Sequence, residues 1–166
     1  LQATGSSLER ARANVCAIEV LRDLDDSGRE PTDDDIRALA AYAGWGGAQK
    51  AFEEDGADPA WSEINTRLGE LLTDAEYAAA RESTLTAFYT PPVVIRGIYA
   101  ALGQMGFTQG NILEPACGIG NFLGMLPESM SGSKLYGVEL DDLSGRIARQ
   151  LYQKSSIAVQ GYEKTA

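Results

Sequence analysis

Apolar residues recur at helical intervals through the first half of the chain, then give way to short apolar runs separated by glycine turns. Ser6 and Glu9 form a capping box ahead of Ala11, Val15, Ile18 and Leu21, whose spacing predicts a helix. The polar run 23–31, which contains Gly28, is expected to end it. Thr32 and Asp35 start a second helix through Ile36, Leu39 and Ala40, which must stop at Gly44-Trp45-Gly46-Gly47. A loop holding Gly56 and Pro59 leads into a third helix with Trp61, Ile64 and Leu68. Thr73 and Glu76 cap a fourth over residues 74–83.

Near residue 85 the pattern changes. Residues 85–90 read as extended, and Pro91-Pro92 breaks the chain and permits a new helix start. Val94, Ile98 and Leu102 share one face of that helix, which Gly106 ends. A strand at 111–113 enters a glycine-rich turn and a short helix over 120–126. A second strand at 135–138 ends in Glu139, a helix over 141–152 carries Leu143, Ile147 and Leu151, and a third strand begins at 157–159. Strand, helix, strand, helix, strand is the opening of a doubly wound parallel sheet. The expected fold is therefore α/β: an N-terminal helical region over 1–84, then the first half of a Rossmann-like sheet over 85–166.

Composition narrows the chemistry. The chain has 166 residues and begins with Leu1 rather than Met, so it reads as a piece of a longer polypeptide. It contains no histidine, which removes the commonest general base and metal ligand. Cys16 and Cys117 lie far apart without ligand spacing, so no metal is expected. The acidic clusters 23–26 and 33–35 are read as solvated loops and helix starts. No apolar run is long enough to span a bilayer and no secretory signal opens the chain; the expectation is a cytoplasmic protein without membrane contact. The net charge of −10 is poorly suited to DNA phosphates, so any DNA contact should come from regions outside this chain. The oligomeric state stays open.

The stretch Leu113-Glu114-Pro115-Ala116-Cys117-Gly118-Ile119-Gly120-Asn121-Phe122 carries the most information. Gly118 and Gly120 fall between a strand and a helix, where backbone can approach a ligand closely. Alone, this turn fits a dinucleotide site, a methyl-donor site or a plain tight turn. No third glycine stands where a dinucleotide pyrophosphate needs one, which counts against a dehydrogenase. Glu139, about 20 residues further at the end of the second strand, can accept hydrogen bonds from both hydroxyls of a ribose. Taken singly, the glycines could serve only a turn and Glu139 only a helix cap; in this order they point to a bound nucleoside.

Glu114-Pro115-Ala116-Cys117-Gly118-Ile119-Gly120-Asn121-Phe122 resembles the methyl-donor motif of adenine-N6 DNA methyltransferases. Phe88-Tyr89-Thr90-Pro91 resembles the motif that precedes it in the subclass with a downstream target-recognition region, and Gly137-Val138-Glu139-Leu140-Asp141 the ribose-binding motif. The segments Tyr42–Gly47, Leu72–Tyr77 and Tyr89–Pro91 are also similar to the amino-terminal region of large methylase–helicase proteins of phages and conjugative elements. The resemblance implies S-adenosylmethionine as cofactor. Tyr89, Thr90 and Pro91 would line its methionine end, Glu114 would face its amino group, and Pro115, Ala116, Gly118 and Gly120 would form a backbone wall. Phe122 would close one side, Glu139 would hold the ribose and Leu140 would pack on the adenine. Cys117 is read as a packing residue.

Three departures qualify that picture. Phe88 stands where the close relatives carry His. The third strand should end in an acid, and here the chain reads Gln160-Gly161-Tyr162-Glu163. The Asn/Asp-Pro-Pro-aromatic motif that accepts the adenine amino hydrogens is absent, so no catalytic residue is assigned and the segment alone is expected to be inactive. Two readings compete with the methyltransferase: a non-catalytic scaffold module of a helicase-type or anti-restriction protein, and a methyltransferase for another acceptor. Trp45 is read as a plug at the junction of helices and sheet, with base stacking as the alternative.

Overall fold

The computed structural model describes residues 5–53 and 58–165; Gly56 lies outside them. The chain forms two compact units, Leu1–Tyr89 and Thr90–Ala166, dividing somewhat later than residue 84. All of the net negative charge falls on the first unit, with 18 acidic and 8 basic residues, whereas the second carries six of each.

The first unit contains four α-helices: α1 (Ser7–Ser27), α2 (Asp33–Ala40), α3 (Pro59–Leu71) and α4 (Asp74–Ser83). Three of them begin with the capping boxes legible in the sequence, Ser6 with Glu9, Thr32 with Asp35 and Thr73 with Glu76. Each box satisfies amide groups that the first helical turn leaves without intrahelical partners. Helix α1 runs well into the polar stretch that was expected to end it. Leu24 extends the buried stripe Ala17, Ile18, Leu21, and Gly28 then closes the helix in the left-handed region at φ +64°. Asp23 and the aspartates after it are thus helical, not loop. Arg29 bridges Asp23 and Asp35 at 2.6 Å each, and the Arg29 guanidinium holds the Asp35 carboxyl well below the usual range.

The Gly44-Trp45-Gly46-Gly47 turn is held from below by Asn14. This fully buried side chain donates to the Gly44 carbonyl and accepts from the Ala43 amide, both at 2.8 Å. Trp45 is 1% exposed and meets Tyr42 and Phe52 edge to face; Phe52 in turn meets Tyr77. Trp45 therefore belongs to the core of the helical unit, which corrects the alternative of a base-stacking surface. Gly46 lets residues 87–88 cross it closely, since a Cβ there would lie 2.3 Å from the Ala87 carbonyl oxygen. Residues 83–87 continue in hydrogen-bonded turns rather than extending, with Ala87 donating to the Ser83 carbonyl at 2.8 Å.

The second unit begins with α5 (Pro92–Gln104) and continues β1 (Asn111–Glu114), α6 (Asn121–Gly124), β2 (Lys134–Glu139), α7 (Asp142–Leu151) and β3 (Ser156–Val159). The three strands are parallel in the order β1-β2-β3, with Leu113 opposite Tyr136 and Glu139 opposite Val159. This is the α/β arrangement expected. Helix α7 packs close to the sheet because Gly145 has no side chain; a Cβ there would meet Val159 at 2.7 Å. Helix α6 is a single turn, shorter than the sequence suggested.

Helix α5 turns inward a stripe next to the Val94 and Ile98 one. Ile95 and Tyr99 are buried with Leu102 packed beside them, while Val94 and Ile98 remain 45% and 43% exposed. Both stripes are apolar, so periodicity could not choose between them. The larger area of the Tyr99 ring, and a carbonyl for its hydroxyl, favour burying the second.

Candidate functional site

β1 delivers Glu114 to the start of the glycine turn, and β2 delivers Glu139 beside it. Gly118 and Gly120 are both buried and adopt φ of +54° and +87°, a region that penalises any side chain with a Cβ. The turn is tied to the sheet by two bonds. The Cys117 amide donates to the Val138 carbonyl at 2.9 Å, and the Gly118 amide donates to Glu139 Oε2 at 2.7 Å. Glu139 Oε1 accepts the Asp141 amide at 2.9 Å, just where Asp141 caps α7 by accepting from the Ser144 amide. One carboxylate thus joins the turn after β1 to the helix after β2. Each of its oxygens keeps a further lone pair for a hydroxyl.

Glu114 is half-buried at the strand end. Burial pushes its carboxyl above the usual range, partly opposed by the Ala116 amide. Tyr99 feels that neighbour: burial first, and then the Glu114 charge, raise its phenol. Cys117 is pushed up to about 12 by burial, with the charges of Glu139 and Glu114 adding. A thiol held neutral between two carboxylates is not a nucleophile.

The remaining predicted positions divide. Pro115 and Ala116 are exposed on the turn, Leu140 is 78% exposed beyond β2, and Thr90 and Pro91 open the second unit. Pro91 accepts the Val94 and Ile95 amides at the head of α5. Phe122 turns its ring to Tyr99, at 6.2 Å between centroids, within the cluster built on Ile95, Tyr99 and Met130. Tyr89 belongs to the first unit, where its ring rests beside Gly44. At the end of β3 the Gln160 amide group donates to the Lys164 carbonyl, and the exposed Glu163 folds back over Gly161.

Two residues at the turn were not read from the sequence. Tyr99 donates its hydroxyl to the Phe122 carbonyl at 2.8 Å, and the Tyr152 ring lies against Gly120 and Gly124. For Tyr152 the signal was present: two glycines four residues apart in one helical turn leave a flat gap that suits a ring. A separate open groove of about 790 Å³ along the sheet, lined by Leu113, Tyr136, Ala158 and Tyr162, includes none of the predicted donor residues. Among the described residues no cluster of His, Cys, Asp or Glu could hold a metal, and no helix is long and apolar enough to cross a membrane.

No protein-family model matches the chain. It is 27% identical over 164 residues to Defense against restriction protein B of Escherichia phage P1, across 98% of this chain. Over 62 residues, 37% of the chain, it is 37% identical to the Type II methyltransferase M.CvrRI of Paramecium bursaria Chlorella virus XZ-6E. The chain spans only 6% and 16% of the lengths of these two relatives. A solved structure described as a class I S-adenosylmethionine-dependent methyltransferase from Listeria monocytogenes aligns with 93% of this chain and 55% of its own. The identity there is 14% and the TM-score 0.38, a level at which likeness assigns nothing further.

Proposed function

We propose that this chain is the S-adenosylmethionine-binding portion of an adenine-N6 DNA methyltransferase and does not transfer the methyl group by itself. The observation that carries the reading is the Gly118–Glu139 bond, which sets a left-handed glycine turn beside a carboxylate at the carboxyl ends of adjacent parallel strands. That is where nucleoside ligands sit in open α/β sheets. The residues suit this cofactor chemically. Glu114 can accept hydrogen bonds from the donor's ammonium and Glu139 from its ribose hydroxyls, while Leu140 offers apolar surface to a base. The Gly118 amide is already engaged by Glu139, so the donor carboxylate would need other partners, and Thr90 is the candidate.

The adenine-N6 assignment rests on the Glu114–Phe122 stretch; the partial likeness to a viral Type II methyltransferase supports methyl transfer but does not name the acceptor. With no Asn/Asp-Pro-Pro-aromatic motif in its 166 residues, the chain lacks the acceptor arrangement that the resembled family uses for the amino hydrogens of adenine. The acidic first unit argues that DNA is held by other parts of the whole protein. A second reading, a non-catalytic scaffold within an anti-restriction or helicase-type protein, is favoured by the phage P1 relative, whose likeness extends over both units.

Calorimetric titration with S-adenosylmethionine, of the wild type and of Glu139→Ala, tests the donor site. Saturable binding that the substitution abolishes supports it; a wild-type chain that binds no donor rejects it in favour of the scaffold.

A further inference from the structure

Gly120 and Gly124 are both denied a side chain by the same ring. A Cβ on Gly120 would fall 2.4 Å from Tyr152 Cε2 and 2.6 Å from Cδ2. A Cβ on Gly124 would fall 2.2 Å from the Tyr152 hydroxyl and 3.0 Å from Cζ. The phenol therefore lies along the single turn of α6, whose Gly124 amide donates to the Gly120 carbonyl at 2.9 Å. Tyr152 stands at the C-terminal cap of α7, where its backbone N–H donates a hydrogen bond to the Ala148 carbonyl at 2.9 Å. The opposite end of α7 reaches the same turn through Glu139, which takes the Asp141 and Gly118 amides. Helix α7 thus grips the glycine turn from both of its ends.

We propose that Tyr152 is a positioning residue for the donor site, its ring being the floor that sets where the 118–124 backbone stands. The proposal rests on the S-adenosylmethionine reading for its functional consequence, but not for its structural one. The second glycine of the turn is required from behind, by an aromatic neighbour, as well as by its own left-handed backbone.

The test combines donor titration with amide hydrogen exchange over residues 118–124, in the wild type, Tyr152→Leu, Gly124→Ala and the double variant Gly124→Ala/Tyr152→Phe. Tyr152→Leu should weaken S-adenosylmethionine roughly tenfold, the equivalent of one lost hydrogen bond, and speed exchange at the turn but not along β2. Gly124→Ala should do the same, and Tyr152→Phe, which removes the colliding hydroxyl but leaves Cζ 3.0 Å away, should restore both readouts in part in the double variant. Wild-type affinity and exchange in Tyr152→Leu would overturn the proposal, as would a double variant no better than Gly124→Ala. If the wild type binds no donor, the cofactor reading falls, and the exchange comparison alone still decides whether Tyr152 holds the turn. Should Tyr152→Leu not fold, the comparison of Gly124→Ala with the double variant decides the matter.

Discussion

The Gly118 amide and the Glu139 carboxylate, 21 residues apart in the chain, meet at 2.7 Å and so lock the turn after one strand to the end of the next. The other carboxylate oxygen takes the Asp141 amide, so both oxygens already serve the fold before any ligand arrives. Glu139→Gln keeps the shape but turns an NH2 group toward one of two backbone donors. We expect a loss of about 1–3 kcal/mol in urea unfolding, together with weaker donor binding. Unchanged stability would show that the bond contributes nothing to holding the turn.

Two glycines of the helical unit should respond to alanine with opposite signs. At Gly46 a Cβ would collide with the Ala87 backbone, and Gly46→Ala should cost about 1–3 kcal/mol. At Gly69, within α3, a Cβ meets nothing within 4 Å, and Gly69→Ala should stabilise by about 0.5–1 kcal/mol through helix propensity. Urea midpoints of the two variants check the pair.

Asn14 is a buried polar residue whose amide is used at both ends on one turn. Replacing it by Leu strands the Ala43 amide and the Gly44 carbonyl, at roughly 1–3 kcal/mol for each orphaned group. Thermal unfolding followed by circular dichroism should show a clear fall in Tm; a fall no larger than that of an exposed-site control would rule out this role.

The capping carboxylates make the helical unit acid-sensitive. Glu9 is lowered chiefly by the Ser6 amide and Asp35 chiefly by Arg29. For Glu76 burial acts upward, but the Thr73 amide and hydroxyl and Arg22 outweigh it. A carboxyl whose pKa is lower in the folded state stabilises that state above its unfolded value and loses the contribution as pH falls through the folded one. Stability should therefore be level from neutral pH to about 5 and decline below the ordinary carboxylate range near 4. Denaturant midpoints from pH 7 to pH 2 test this, and Thr73→Ala should cost about 1 kcal/mol at neutral pH.

Glu114 runs the other way. Burial raises its pKa, so its negative charge is lost at a higher pH than that of an exposed glutamate. Donor binding that depends on this charge should weaken as pH falls through the raised value, before the capping carboxylates titrate. Titrations at several pH values between 7.5 and 4.5, with Glu114→Gln as the reference, would separate the effect: the variant should be weak throughout and nearly flat.

Much of this molecule was legible in the chain because the deciding interactions are local. Ser6 with Glu9, Thr32 with Asp35 and Thr73 with Glu76 close hydrogen bonds across three residues, so their helix starts can be read without knowing the fold. The glycine turn and Glu139 were also visible, because strand, turn and strand end follow one another within a single parallel unit. Long-range packing was not. Whether Ile95 and Tyr99 or Val94 and Ile98 face inward depends on the Phe122 carbonyl, 23 residues from Tyr99. Trp45 belongs to the core because Phe52 and Tyr77 come round to meet its neighbourhood. That Gly120 makes room for Tyr152, not only for a ligand, follows from where α7 ends after crossing the sheet. A capping box is one short loop closed on itself, whereas these choices compare alternative burials of similar apolar area, and only the assembled core makes them unequal.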